Sequence, residues 1–377
     1  MKKFFTFLSL VSLLLLSACS LRNTGVKDSN EPITYKLGII TPLSGDASAY
    51  GQEMERIFNY EIKKINEKTL KQGVQFELVY EDGKCSGADA VTAFQKLTDI
   101  DGVKVVLGGL CSSETLAVSP LATSKEIVLL SAGSSTPDIE NQGNYVFSLS
   151  YRDDLVGQSI AKELNNFTKI AVITEQNDYN IGLRKVVLDH LNANTKVVAD
   201  ETFEKGGNDF RNILEKVSKA KPEVLFLNPN PGTTAENLIK QIAENKDLSD
   251  AQIVSQGAYI PEPSHEAAKE TLEGAILIDA PQMTSPELAA EMKAIVTSNG
   301  TLDTLGTYYS ASSIDAINIL TDMMVKYKNN APSIKNALRT DTFKGFLGTI
   351  YFGDQNFFQN IPTGRYIITN GKSVLQK

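Results

Sequence analysis

Apolar residues along the chain follow two alternating rhythms. Short runs at 35–41 (YKLGIIT), 74–80, 103–107 and 127–130 read as buried strands. Between them apolar positions recur at helical spacing, as at Met54, Ile57, Phe58, Ile62 and Ile65 in a helix beginning near Gly51, with a further helix at about 88–98. The pattern restarts near Tyr151, giving helix 153–166, strand 169–174, helix 181–193, strand 197–203, helix 209–219, strand 223–227, helix 234–245 and strands 252–255 and 274–278. Helices at 287–298 and 310–327 follow, and strands near 349–352 and 366–368 close the chain. Such alternation predicts an α/β fold of two doubly wound lobes, each a parallel sheet covered on both faces, joined by a hinge. Ligands of such sheets bind beyond the carboxyl ends of the strands.

The stretch 103–120 (VKVVLGGLCSSETLAVSP) carries the most specific local signal. Val103, Val105, Val106 and Leu107 form a strand that Gly108-Gly109 interrupts. Cys111, Ser112, Ser113 and Glu114 then lie where a helix begins, with Leu116, Ala117, Pro120 and Leu121 behind them. Small hydroxyls and unpaired backbone N–H groups at a helix N-terminus favour an anion, so this stretch is expected to seat a carboxylate.

The start of the chain has a different character. Lys2 and Lys3 precede an apolar run, 4–16, too short for a membrane span, and Leu16-Ser17-Ala18-Cys19 follows. The tetrapeptide resembles the bacterial lipoprotein signal, with a plain secretory signal as the alternative. On the lipoprotein reading 1–19 is the signal segment, Cys19 is the lipidated mature N-terminus, and polar 20–32 is a flexible tether. The protein is then extracytoplasmic and lipid-anchored to the bacterial cell membrane.

Composition is ordinary for a globular protein, at 42% hydrophobic and 22% charged. The formal charge of −8 and the lack of a basic cluster argue against nucleic acid as a partner. With Cys19 assigned to lipid, Cys85 and Cys111 remain. An even pair in an oxidising compartment favours a disulfide over a metal site, with two buried free thiols as the alternative. A bridge would contribute roughly 3 kcal/mol.

Enzyme signatures are missing: no G-x-S-x-G, H-E-x-x-H or G-x-G-x-x-G occurs. Gly371-Lys372-Ser373 imitates the end of a phosphate-binding loop, but Tyr366 stands where the first glycine is required. His190 and His265 are the only histidines, one in an expected helix and one in a loop. No metal site and no cofactor are expected. What remains is a set of hydroxyls and aromatics at strand ends: Tyr50, Ser112, Ser113, Ser134, Ser135 and Tyr179, with Tyr308 and Tyr309 as further candidates. Residue by residue such groups often cap helices and turns, but their grouping at equivalent strand ends suits reversible binding rather than catalysis.

These residues fall in the order found in leucine/isoleucine/valine-binding proteins, which the chain after residue 33 resembles. The likeness rests on the lipoprotein signal, Pro42-Leu43-Ser44-Gly45, Tyr50-Gly51, Asp82 with Cys85, Gly109-Leu110-Cys111-Ser112-Ser113, 131–137 (SAGSSTP), and Tyr179 with Gly182. The family's members are type I extracytoplasmic solute-binding proteins of ABC importers. The resemblance implies a type I periplasmic-binding-protein fold with a first lobe of 33–148 plus about 279–330 and a second of 149–278 plus about 331–377. It implies a Cys85–Cys111 disulfide, a ligand α-carboxylate held by Ser112, the Gly133 backbone and Ser135, and Tyr50 and Tyr179 flanking the ligand from the two lobes. A monomer that docks on an ABC permease is expected. The family's acidic ammonium partner matches Gln256, which is neutral, and its strand-end tyrosine gives way to Asn228-Pro229-Asn230. Either Asp178, Asp279 or another acid therefore takes the ligand's ammonium, or the ligand lacks one. The expected function is capture of a small carboxylate-bearing solute, a branched-chain or other aliphatic amino acid, by hinge closure. A ligand-sensing lipoprotein of the same fold is the alternative.

Overall fold

The computed structural model describes residues 31–260, 268–358 and 363–376; the leader, Cys19, nearly all of the expected tether and His265 lie outside them. The first rhythm builds β1 (Ile33–Thr41), α1 (Ser48–Thr69), β2 (Val74–Asp82), α2 (Gly87–Gln95), β3 (Val105–Leu107), α3 (Ser112–Ser124), β4 (Val128–Ser131) and β5 (Val146–Ser148). The strands form one parallel sheet in the order β2-β1-β3-β4-β5. Alternate residues face opposite helical layers: Leu37, Ile39, Val105 and Leu107 pack on one side, Ile40 and Val106 on the other. Both faces are covered, which is why these strands read as continuous apolar runs.

The second rhythm builds α4 (Asp153–Leu164), β6 (Lys169–Gln176), α5 (Asp178–Asp189), β7 (Lys196–Glu204), α6 (Arg211–Lys219), β8 (Val224–Asn228), α7 (Thr233–Glu244), β9 (Gln252–Gln256), α8 (Lys269–Leu272) and β10 (Ile276–Asp279). Its parallel strands take the order β7-β6-β8-β9-β10, repeating the first sheet's arrangement. The chain then returns to the first lobe as α9 (Pro286–Asn299), α10 (Gly306–Lys326), α11 (Ala331–Thr340) and the hairpin β11 (Phe343–Gly345) and β12 (Gly348–Ile350). Finally β13 (Gly364–Thr369) and β14 (Lys372–Leu375) extend the second sheet beyond β10 in antiparallel sense.

Expected and observed elements agree in most places, and three differences matter. The lobe boundary expected near 331 falls instead between Phe358 and Gly364. Ala331, Ile334, Ala337, Leu338, Ile350, Phe352 and Phe358 all pack in the core beneath the first sheet. An amphipathic helix declares which face is buried but not which lobe buries it. The pattern predicts neither helices α8 and α11 nor strands β5, β11 and β14, which are short or weakly apolar. The sequence allows the strands that end before the two cysteines to be neighbours in one sheet, whereas β1 lies between β2 and β3. The disulfide between Cys85 and Cys111, with Cα atoms 5.3 Å apart, spans the carboxyl end of β1.

Candidate functional site

In each sheet the winding reverses beside the first strand of the unit, at β1/β3 and again at β6/β8. The loops leaving these strands must diverge there, which leaves a crevice beyond their carboxyl ends. The two crevices face each other across a cavity of about 120 Å³. Its walls come from equivalent places in the two lobes: Tyr50 after β1 and Tyr179 after β6, Ser112 after β3 and Asn230 after β8, Ser135 after β4 and Gln256 at β9, Tyr151 after β5 and Asp279 at β10.

The first wall begins at Gly108, whose φ of +145° and whose approach to β1 both exclude a side chain; a Cβ there would lie 2.2 Å from the Ile40 carbonyl oxygen. Cys111 is the N-cap of α3. Glu114, wholly buried, accepts from the backbone N–H of Cys111 at 2.9 Å and of Cys85 at 3.0 Å, fastening both ends of the disulfide to one carboxyl. Burial pushes that carboxyl up to about 7, against the opposing pull of the two backbone donors.

Ser112 opens α3, lines the cavity and accepts a long 3.4 Å bond from Thr136 N–H. The Ser131 hydroxyl accepts from the N–H groups of Gly133 and Ser134 and donates to the Gly109 carbonyl, binding the loops after β3 and β4 into one unit. Gly133 and Ser135 therefore present to the cavity from a rigid turn.

Of the residues singled out from sequence, Tyr50, Ser112, Ser113, Gly133, Ser135, Tyr179, Gln256, Asp279 and Tyr309 line the cavity. Ser113 does so while its hydroxyl donates to the Cys85 carbonyl. Ser134 does not line it: its hydroxyl is buried among Thr115 and the Gly109 and Leu110 carbonyls. Asn228 is also withdrawn, donating to the Asn180 carbonyl from a wholly buried position. Its side chain turns inward because β8 is covered on both faces; the loop beyond it supplies Asn230 and Pro231 instead. Asp178 is exposed at the start of α5 and stays outside, and Tyr308 donates to the Leu149 carbonyl.

Tyr151, Asn177, Asn230, Gly257 and Leu110 line the cavity without having been chosen. The internal repeat was the signal that could have found them, since each follows a strand equivalent to one already chosen in the other lobe.

Beyond the serines the cavity is aromatic and acidic. The Tyr151 hydroxyl donates to Asp279 Oδ1 and lies 2.9 Å from the Tyr309 hydroxyl. Burial, reinforced by the nearby Asp279 carboxyl, raises the hydroxyls of Tyr50, Tyr151 and Tyr309 far above the usual phenol range. Among the described residues no lysine, arginine or histidine lines this space. Lys205, in the turn after β7, reaches across the lobes to the carbonyls of Cys85 at 2.5 Å and Lys84 at 3.3 Å, so the lobes meet in a closed arrangement.

Hydroxyls, helix-end N–H groups and one carboxyl converge here without a nucleophile hydrogen-bonded to a base, an arrangement for holding a small polar molecule between two lobes. Fold and site together define a two-lobed binding protein. The chain belongs to the periplasmic binding protein family, whose profile matches residues 34–369.

Its relatives agree. The Leu/Ile/Val-binding protein of Citrobacter freundii is 27% identical over 196 residues, 51% of this chain and 53% of that protein. The chain spans little more than half the length of the curated relatives it matches. Among solved structures, a branched-chain amino acid transporter substrate-binding protein of Streptococcus pneumoniae in complex with isoleucine has a TM-score of 0.78 at 23% identity, covering 91% of this chain and all of that one. A solute-binding protein of an ABC transporter from R. palustris in complex with 4-hydroxybenzoate has a TM-score of 0.80 at 17% identity, covering 92% and 96%. The resemblance read from sequence is thus borne out at the level of family and fold, and the relatives are binding proteins rather than enzymes.

Proposed function

We propose that this protein is the extracytoplasmic solute-binding lipoprotein of an ABC importer, held to the membrane through Cys19, and that it delivers a small carboxylate-bearing solute to its permease. The solute class that the site supports best is an aliphatic amino acid. The observation that carries this reading is the cavity itself: the N-terminus of α3, with Ser112 and Ser135, faces Tyr179, Gln256 and Asp279 of the second lobe at the junction of two closed lobes. A carboxylate docking on the first lobe would complete the unpaired N–H groups of α3, and contacts from the second would stabilise closure. The protein acts as a monomer in this reading.

Calorimetry with L-leucine, L-isoleucine and L-valine tests it. Ser112→Ala is expected to weaken binding roughly tenfold to thirtyfold, the usual effect of losing a hydrogen bond to a charged group, with little change in the melting temperature of the unliganded protein. Unchanged affinity would remove Ser112 from the site. One observation favours a second reading, an aromatic acid. Four tyrosines line the cavity, and a solved neighbour holds 4-hydroxybenzoate. The same calorimetry with 4-hydroxybenzoate decides between them.

A further inference from the structure

Gln256, at the end of β9, is neutral, and its side-chain amide donates to the Pro229 carbonyl. One carboxyl enters the same space from the neighbouring strand. We propose that Asp279, at the end of β10, is the residue that selects a ligand carrying a primary ammonium group, with the hydroxyls of Tyr151 and Tyr309 completing its seat. This inference rests on the amino-acid reading above and names the group that reads the ligand's amino end.

Four observations converge on it. Asp279 lines the cavity from the second lobe and Ser112 from the first, so a ligand held by its carboxylate on the first lobe and bridging the two comes within its reach. One oxygen of Asp279 accepts from Tyr151, which is joined to Tyr309, and this fixes the carboxyl's orientation. Gly257, directly after Gln256, makes room for it. A Cβ at 257 would lie 1.9 Å from Asp279 Oδ2, so a side chain there and this carboxyl position exclude each other. The fourth is the charge balance. No cationic side chain lines the cavity among the described residues, so nothing in its walls offsets Asp279. Burial holds the Asp279 carboxyl above the usual range when no cation is present.

A ligand bearing a carboxylate alone would bring a second anion into this space. A zwitterion brings its own counter-charge, and its three N–H donors match a carboxylate oxygen and adjacent hydroxyl oxygens. A quaternary ammonium has no N–H to donate and would leave these acceptors unpaired. Asp153, the first residue of α4, is a second wholly buried acid near this cluster, its carboxyl beside the Ser135 hydroxyl. It does not line the cavity and is the control.

The test compares full-length protein with Asp279→Asn and Asp153→Asn. Binding is measured to L-leucine, L-isoleucine and L-valine, each beside the carboxylic acid that lacks only the amino group, and to 4-hydroxybenzoate. Asp279→Asn is expected to weaken amino-acid binding about a hundredfold while leaving the affinity for the matched desamino acid undiminished or higher, since the competing anion is gone. The unliganded melting temperature checks that each variant is folded. Amino-acid binding by the native protein that survives Asp279→Asn, or is lost only in Asp153→Asn, overturns the assignment and leaves the amino-acid reading standing. Binding of 4-hydroxybenzoate with none of the amino acids overturns both.

Discussion

Glu114 shows how much one side chain can do when burial sets its chemistry. Its carboxyl holds the backbone of both disulfide cysteines, yet burial raises its proton affinity from 4.5 to about 7. Between those values the folded state holds more protons than the unfolded chain, so stability falls as pH rises through this window, by up to about 1.4 kcal/mol per pH unit. Glu61 and Asp315, raised by burial to about 7 and about 6, act in the same direction. Thermal melts of the ligand-free protein should therefore give a lower midpoint at about pH 7.5 than at about pH 5.5. Glu114→Gln should lower the midpoint overall and flatten this dependence. An equally steep profile in the variant would exclude Glu114 as a source. The serines give the complementary lesson. Ser112, Ser113, Ser134 and Ser135 are alike in type and setting, but packing places three on the cavity wall and buries Ser134, while the hydroxyls of Ser113 and Ser134 both turn to backbone carbonyls. Residue type announces a polar turn; only packing decides where each hydroxyl points.

At the scale of elements, polar clasps join segments that lie far apart in sequence. Asp315 of α10 accepts from the N–H groups of Phe346 and Leu347 at 2.9 and 2.8 Å, holding the turn of the β11–β12 hairpin. Gly345 permits this approach, since a Cβ there would lie 2.3 Å from the carboxyl. Asp315→Ala would leave two backbone donors to find water and should cost about 2 kcal/mol, read as a lower denaturation midpoint, with ligand affinity unchanged. A loss of affinity instead would mean that the hairpin reaches the cleft. The strand expected near 349–352 marks the second arm of this hairpin, but the clasp and the first arm are not legible in sequence, because a three-residue strand carries too little periodicity. Helix α11 escaped notice for a related reason: a thin apolar stripe of Ala331, Ile334, Ala337 and Leu338 amid polar residues.

The whole molecule is two copies of one winding scheme closed face to face, and Lys205 is a link between them. Its ammonium group joins the second lobe to carbonyls of the disulfide turn in the first. It touches no cavity-lining side chain group that would hold a ligand directly, so its contribution belongs to the closed state. Lys205→Met should weaken ligand affinity severalfold through faster release while leaving the unliganded melting temperature nearly unchanged, as a contact made only on closure would. Stopped-flow release rates check this. An unaltered release rate would mean that closure does not depend on the link.

Much of this protein was decided by its local pattern. Alternating apolar periods dictated two α/β units, and glycines and small hydroxyls marked a helix-end seat at 108–113, because those features depend on neighbours a few residues away. The sequence-level resemblance extended this to a family, which the profile match to 34–369 supports. Tertiary structure alone decided which lobe takes α11, which strand lies between the cysteines, and which acid enters the cavity. Gln256 is paired with Ile278, the residue before Asp279, in the neighbouring strands β9 and β10, yet a stretch of chain separates them that no local rule spans. Their roles are set by how sheets pair and which side chain a neighbouring glycine admits, and those are properties of the packed molecule.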